Sequence, residues 1–564
     1  MSRTRRPTRT AALALAAAVA LGGCGAIPRT GPVHRHAEPT RSAVQPSYDV
    51  EPAGPREGAT PEQIVRGFLA AGTGVADDYS VAREYLTPEL AGTWHPDART
   101  LVHRGDAVPV PRLEDNEYRV NLEVDSVVDG SGVIERKPAG ATEVLDFDVV
   151  QVDGQWRISD APDATALTPA DFEDIFEPHH LYFADEDLSN VVVDPRWFPD
   201  RVPVSTSIVR ALLGGPAPYL RGAVTSAFPP GTTLARSAVP VRDGTATVEL
   251  SVPEFDPANI EINRRMHDQL ALSLRSLTAV NDVELLVEGA PVELGAGWTD
   301  AAPVQDVTVP SRQVGLREGD LVFYQGGQTE NVDGIPPLDG HHPSSPAMDA
   351  AAEHFAFVDT GTGSLVTVAR EEEPVEQFSG TGLTRPSFDE HGWVWTGDSA
   401  GTVRAVRAVP SAGGPVRVEA SWLAARTVTS LRVSRGGTRA LVVTEDEGVS
   451  QIWLTGVVRE PDGTPRRLNE PFRVAADVDA DAALWLSDRE FVAAPLGGTG
   501  SVRPRVYDVS GRFRELPGIE GLTGLSGGNG TSSVYAVAGG TLHMLTGNAW
   551  APQSEDVLDT AFAG

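Results

Sequence analysis

The sequence predicts a multidomain chain, with two α+β domains followed by an all-β propeller. Three observations carry this. Apolar residues recur three and four apart in two separate stretches before residue 300, and each stretch adjoins alternating, strand-like runs. From residue 310 the helical signal stops. A unit of short strand, polar glycine turn, apolar strand, second glycine turn and third strand then recurs at roughly 40–50 residues, the spacing of propeller blades.

The first domain covers 60–165. Thr60-Pro61-Glu62-Gln63 reads as a helix start, with a hydroxyl cap, proline in the first turn and glutamine three positions on. Ile64, Val65, Phe68 and Leu69 follow at helical spacing. A second helix is expected over Tyr79 to Tyr85, stopped by Leu86-Thr87-Pro88. Strands are expected at Tyr118 to Val127, Glu143 to Val152 and Gln155 to Ile158, the last two joined by the hairpin signal Asp153-Gly154. The second domain covers 180–300. Its elements are strands at Leu181 to Ala184 and Asn190 to Asp194 joined by an acidic turn, and a helix over Ser205 to Leu213 stopped at Gly214-Gly215-Pro216. A hairpin around Asp243-Gly244, a long helix over Ile260 to Val280 and a strand at Val283 to Val287 complete it. The third domain covers 310–564. Strand triplets begin at Pro346, Pro386 and Ser430, with weaker copies at Ala482 to Val492 and Thr531 to Leu545. That length suits about five to seven blades.

The N-terminus carries the clearest chemical signal. Arg3, Arg5, Arg6 and Arg9 precede the apolar run Ala11 to Leu21, which is shorter than the roughly 20 residues of a membrane span. It leads into Leu21-Gly22-Gly23-Cys24, and Cys24 is the sole cysteine of 564 residues. Small residues before a cysteine suit cleavage between Gly23 and Cys24 and alkylation of the thiol. Residues 1–23 are therefore expected to be a lipoprotein signal peptide. Cys24 is expected to become an N-acylated S-diacylglycerol cysteine, with 24–59 as a flexible tether rich in Pro, Arg and Thr. The expected place is the outer face of the cytoplasmic membrane. One cysteine excludes intrachain disulfides and Cys-based metal sites. Removing 1–23 takes four arginines and no acid, which moves the net charge from −32 to about −36. Such a surface repels nucleic acid and anionic headgroups, so lipid must hold the protein to its membrane.

Motifs that suggest chemistry resolve into turns and core. Gly397-Asp398-Ser399-Ala400-Gly401 and Gly524-Leu525-Ser526-Gly527-Gly528 have the Gly-x-Ser-x-Gly pattern, but no helix follows either, as a nucleophile elbow requires. Both are expected to be turns. The pairs His179-His180 and His341-His342 lack the spacing of a zinc site and are expected in solvated loops. Asp185-Glu186-Asp187 lacks the spacing of a calcium loop and is expected to be a solvated turn. Trp393 and Trp395 are expected in a blade core. No catalytic residue, cofactor or metal is expected, and the chain reads as a binding protein rather than an enzyme.

Four features together resemble the actinobacterial LpqB lipoproteins. They are Cys24; Phe68-Leu69 to Tyr85-Leu86; the stretch from Leu181-Tyr182-Phe183-Ala184-Asp185 through Val209 to Pro216 and on to Phe228-Pro229-Pro230-Gly231-Thr232; and the propeller that follows. The third feature looks like a GerMN domain. The resemblance implies a partner, the extracytoplasmic region of the MtrB sensor histidine kinase. It also implies a role in modulating the MtrAB two-component system, in envelope homeostasis and division. A cell-wall glycan or peptide held in the propeller mouth is the alternative, with a hydrolase as its less favoured form.

Overall fold

Helix α1 (Pro61–Ala71) begins as its sequence dictates. The Thr60 hydroxyl accepts from the Gln63 amide at 3.3 Å, and the Gln63 side chain accepts from the Thr60 amide at 2.9 Å. The computed structural model describes residues 52–564, except 106–108, 114–115, 201–203, 296–303 and 410–412. In α1, Ile64, Val65, Phe68 and Ala71 are buried against a sheet ordered β5–β4–β2–β1–β6. Its strands are β1 (Arg99–His103), β2 (Glu117–Asp129), β4 (Thr142–Val152), β5 (Gln155–Asp160) and β6 (Thr165–Leu167), with β3 (Ile134–Arg136) beside β2. Tyr118, Val120, Leu122 and Val124 alternate inward along β2, the period of a sheet with one covered face. The β4–β5 turn has positive φ at Asp153 and Gly154 (50° and 76°), the pattern of the tight hairpin its sequence signalled.

The helix expected over Tyr79 to Tyr85 is the single turn α2 (Ser80–Arg83), and a further helix, α3 (Pro88–Thr93), follows where the sequence signals only a stop. Thr87-Pro88 starts it. The Thr87 hydroxyl accepts from the Leu90 amide at 3.3 Å, and proline is preorganised for a first turn. After α4 (Pro169–Ile175) the chain forms a hairpin of β7 (Phe176–Ala184) and β8 (Val191–Pro199), paired from Phe176–Pro199 to Ala184–Val191. It begins before the expected Leu181. Val191 to Phe198 are all buried, so no alternation marks the strand.

The second domain adds α5 (Val204–Gly214) and α6 (Ile260–Leu274), which pack on a sheet of β9 (Thr233–Leu234), β10 (Val241–Arg242), β11 (Thr245–Ser251), β12 (Asp282–Val287) and β13 (Ala290–Pro291). β11 and β12 run parallel. α6 stops at Leu274 rather than Val280, and Leu277 packs on the core from the following turns.

Six blades then follow among the described residues, five of four strands and one, blade 4, of five. Blade 2 starts at Pro343–Met348, blade 3 at Ser387–Phe388, blade 4 at Thr427–Val433, blade 5 at Ala482–Trp485 and blade 6 at Leu522–Gly527. In each, the first strand is innermost. Blade 1 differs: Gln313–Arg317, Asp320–Gln325 and Gln328–Asn331 are completed inside by the closing strand Leu558–Ala561, which pairs Val314 with Ala561 and Leu316 with Leu558. The ring is thus closed by its last strand. Among the described residues no helix is long and apolar enough to cross a membrane.

Candidate functional site

The domains are not beads on a string. One apolar cluster joins Val128 and Leu167 of the first domain, Phe183 and Trp197 of the β7–β8 hairpin, and Leu212 and Leu270 of the second domain. It continues into Leu441, Ile452 and Phe472 of blade 4 and Phe491 of blade 5. The polar groups inside this junction are satisfied in detail, as burial demands. Asp194 and Arg196 form a bidentate pair (3.0 and 2.7 Å) and are 0% and 2% exposed. The Asp194 carboxylate also accepts from the Ala217 amide at 2.8 Å. The Arg196 guanidinium donates to the Ser131 carbonyl (2.9 Å), which ties the hairpin to the first domain. Arg439 of blade 4, also buried, donates to the carbonyls of Val193 (3.3 Å) and Asp488 (2.7 Å). The Asn469 amide donates to Tyr219 and Arg221 carbonyls (3.0 and 2.8 Å), while the Tyr219 ring stacks on Phe472 at 5.4 Å. Gly456 makes that approach possible, because a Cβ there would sit 2.5 Å from the Tyr219 carbonyl oxygen.

The acidic turn belongs to this junction. Asp185 is buried rather than solvated, and its carboxylate accepts from the amides of Ser189 (2.9 Å) and Asn190 (3.1 Å) and from the Asn190 side chain (2.9 Å). Asn190 in turn donates to Glu390 of blade 3 at 2.9 Å. Burial, and then the neighbouring Asp185 charge, push the Glu390 carboxyl up to about 7. The sequence signalled the turn but not this role, since Glu390 is distant in the chain.

Other residues singled out by motif lie elsewhere. Gly397–Gly401 is a blade 3 hairpin turn in which Asp398 accepts from the Ala400 and Thr402 amides (3.0 and 2.8 Å), while Ser399 donates to the Thr381 carbonyl (2.9 Å). Gly524–Gly527 is not a turn but part of the inner strand of blade 6, where Ser526 donates to Gln313 at 2.6 Å. His179 and His180 occupy β7 instead of a loop. His179 is buried beside Phe198, which holds its imidazole below the ordinary value, and His180 faces Asp508 at 3.5 Å. His341 meets Asp359 at 2.8 Å. Trp395 is fully buried and donates to Asp389 at 2.7 Å; Trp393 is core as well. Gly23, Cys24 and the expected tether up to Glu51 lie outside the described residues; its remainder, 52–59, is held on the first domain instead, where the Tyr85 hydroxyl donates to the Ala53 carbonyl at 2.7 Å and the Gly58 amide donates to the Gln155 side chain at 2.9 Å.

A cavity of ≈300 Å³ lies where the first domain meets the second, beside Ser131, Arg196 and Gly215. A cleft of ≈870 Å³ in the second domain is lined by Tyr182, Phe228, Pro229 and Pro230 and by Arg265 and Asp268 of α6. That is within the usual size of small-ligand sites, roughly 300–1,000 Å³. The space on the propeller axis is only ≈30 Å³.

The chain matches three described families in order: "Lipoprotein LpqB, N-terminal domain" over 54–173, "Sporulation and spore germination" over 180–293 and "Lipoprotein LpqB beta-propeller domain" over 319–560. It is 30% identical over 509 residues to Lipoprotein LpqB of Streptomyces coelicolor, covering 81% of this chain and 80% of that one. It is 28% identical over 476 residues to Lipoprotein LpqB of Thermobifida fusca, covering 72% and 74%. Among solved structures, TolB from Acinetobacter baumannii aligns with 45% of this chain and 66% of its own at 16% identity and a TM-score of 0.32. On the three ordered domains and the identity shared across four fifths of both chains, the protein belongs to the LpqB lipoprotein family.

Proposed function

We propose that this chain is a non-enzymatic accessory lipoprotein, cleaved after Gly23 and lipidated on Cys24, that acts at the outer face of the cytoplasmic membrane. There it binds the extracytoplasmic region of an MtrAB-type sensor kinase and modulates its signalling in envelope homeostasis and division. The shared core of the three domains carries the reading. It consumes the turns between first and second strands of blades 3 to 5, through Glu390, Arg439 and Asp488. The turns between second and third strands, at the other ends of the blades, stay exposed at Gly319, Gly361, Gly448 and Gly539-Gly540. A fixed scaffold with a ring of free loops suits protein recognition.

The test is capture of the kinase's extracytoplasmic region by the chain from residue 52 onward. Saturable binding is expected; none at low or physiological salt sinks the proposal. The anchor has its own test. Cys24→Ala should move the protein from membrane to soluble fractions, and unchanged detergent-phase partitioning would remove the lipid from the account.

The cleft supports a second reading, the binding of a wall glycan or peptide fragment. Its size points to the second domain rather than the propeller mouth. Millimolar wall fragments should then raise the melting temperature. No shift would discard that reading.

A further inference from the structure

The contact between the second domain and blade 3 gathers carboxylates around one neutral group. The Asn190 side-chain nitrogen donates to Asp185 on its own turn and to Glu390 across the interface, at 2.9 Å each. Two carboxyl oxygens from opposite sides of the interface are thus held on the same nitrogen, close enough for their charges to repel. The surroundings are acidic as well. Glu186 and Asp187 lie on the same turn as Asp185, and Asp389 precedes Glu390 in blade 3. The cations nearby are committed. Arg459 of blade 4 donates to Asp389 (2.7 Å) and to the carbonyls of Gly437 (2.9 Å) and Gly463 (3.1 Å). Arg407 of blade 3 donates to the His391 carbonyl at 2.6 Å. The His391 ring lies 4.0 Å from Glu390, and burial, then Arg459, hold its imidazole below the ordinary value, so it is neutral near pH 7. Gly436 of blade 4 and Val307, which also approach, carry no charge. The turn is strained too: Leu188 holds a positive φ of 62°, which a non-glycine residue adopts at some cost.

We infer that the Asn190–Glu390 contact is a pH-sensitive latch: it seats the turn 185–190 on blade 3 while Glu390 carries its proton, and lets the turn lift when Glu390 ionises. The Glu390 side chain is 32% exposed, so it exchanges its proton with solvent directly. Its carboxyl stands at about 7 instead of 4.5 while the turn is seated. The seated turn is therefore favoured below the ordinary carboxyl value and loses that advantage as pH rises through 7. The apolar core beneath does not titrate, so the motion is confined to the turn. Leu188, with Ala184 and Val191 at the ends of the turn, also lines the ≈870 Å³ cleft, and lifting removes part of its wall. The latch stands whether or not that cleft takes a ligand.

The experiment is hydrogen exchange of the full chain in detergent, read at the Ser189 and Asn190 amides and corrected for the intrinsic effect of pH. Both amides donate to Asp185, so they exchange when the turn lifts. In wild type their protection should fall roughly tenfold from pH 6 to pH 8. Glu390→Gln keeps an acceptor for Asn190 and never ionises, so its protection should stay at the pH 6 level of wild type throughout. Protection that is flat with pH in wild type overturns the latch, and so does an equal fall in Glu390→Gln. A comparison within wild type needs no variant: the inner strand Thr427–Val433 of blade 4 should keep its protection over the same range. A fall shared by that strand would mean that the whole protein loosens, which also overturns a latch confined to the turn.

Discussion

At the scale of the residue, the junction depends on charges that water cannot reach. Asp194 and Arg196 are almost fully buried, and each satisfies the other. Asp194→Ala should therefore destabilise by about 3–5 kcal/mol, because Arg196 keeps its charge without its partner. Replacing both by apolar residues of similar volume should cost much less, and denaturant unfolding of the three variants measures the difference. Glu390 behaves in the opposite sense. Its carboxyl is raised from 4.5 to about 7, so the folded state holds the proton more tightly than the unfolded one. The stabilisation is fully present below the ordinary carboxyl value and is lost as pH rises through 7. Asp185 and Asp389 oppose the charge that then forms, and Arg459 only partly offsets them. Glu390→Gln should flatten this dependence, so its melting temperature should gain on wild type between about pH 5 and pH 8. Parallel profiles would show that Glu390 does not titrate there.

At the scale of the element, the closing strand Leu558–Ala561 is the part most exposed to error. Without it Gln313–Arg317 has no inner neighbour, and blade 1 presents an open edge on the axis. Deleting residues 558–564 should leave far-ultraviolet circular dichroism largely intact while lowering the melting temperature and promoting association. A variant that stays monomeric with unchanged melting would contradict the closure. The same element explains what sequence could and could not reveal. Helix α1 and the β4–β5 hairpin were legible because their caps and turns are local. Blades 2 to 4 were legible because three strands follow one another at a regular interval. Blade 1 was not, since its inner strand lies at the other end of the chain. Nor was the full length of β7 and β8, because strands covered on both faces lose the period of two. The link from the Asp185 turn to the propeller escaped for a related reason: Glu390, to which Asn190 donates, comes beside it only when the second domain meets blade 3.

At the scale of the whole molecule, the shared core makes cooperation the expected behaviour. Residues from all three domains lie in one cluster, so they should unfold together. Calorimetry of the chain from residue 52 onward should give one dominant endotherm rather than three. Well-separated transitions would mean that the junction contributes little to the coupling. A single body also changes how a partner would meet this protein. The first domain shares its core with the propeller and cannot swing independently of it, so a force or tilt applied at one is felt at the other. The GerMN-like cleft lies between them in the chain and shares that body.

The ring closed by its final strand also has a meaning in time. In the proposed export, the chain crosses its membrane from the N-terminus onward. The first two domains can fold as they emerge, and the β7–β8 hairpin then waits with its apolar surface uncovered until blades 4 and 5 arrive to meet it. Blade 1, though translocated before any other blade, stays unfinished until residue 558 is outside. During that interval the nascent protein shows both a bare apolar patch and an unpaired strand edge, the two features that draw a chain into aggregates or onto a chaperone. In the proposed export, blade 1 is thus complete only when the strand Leu558–Ala561 is through.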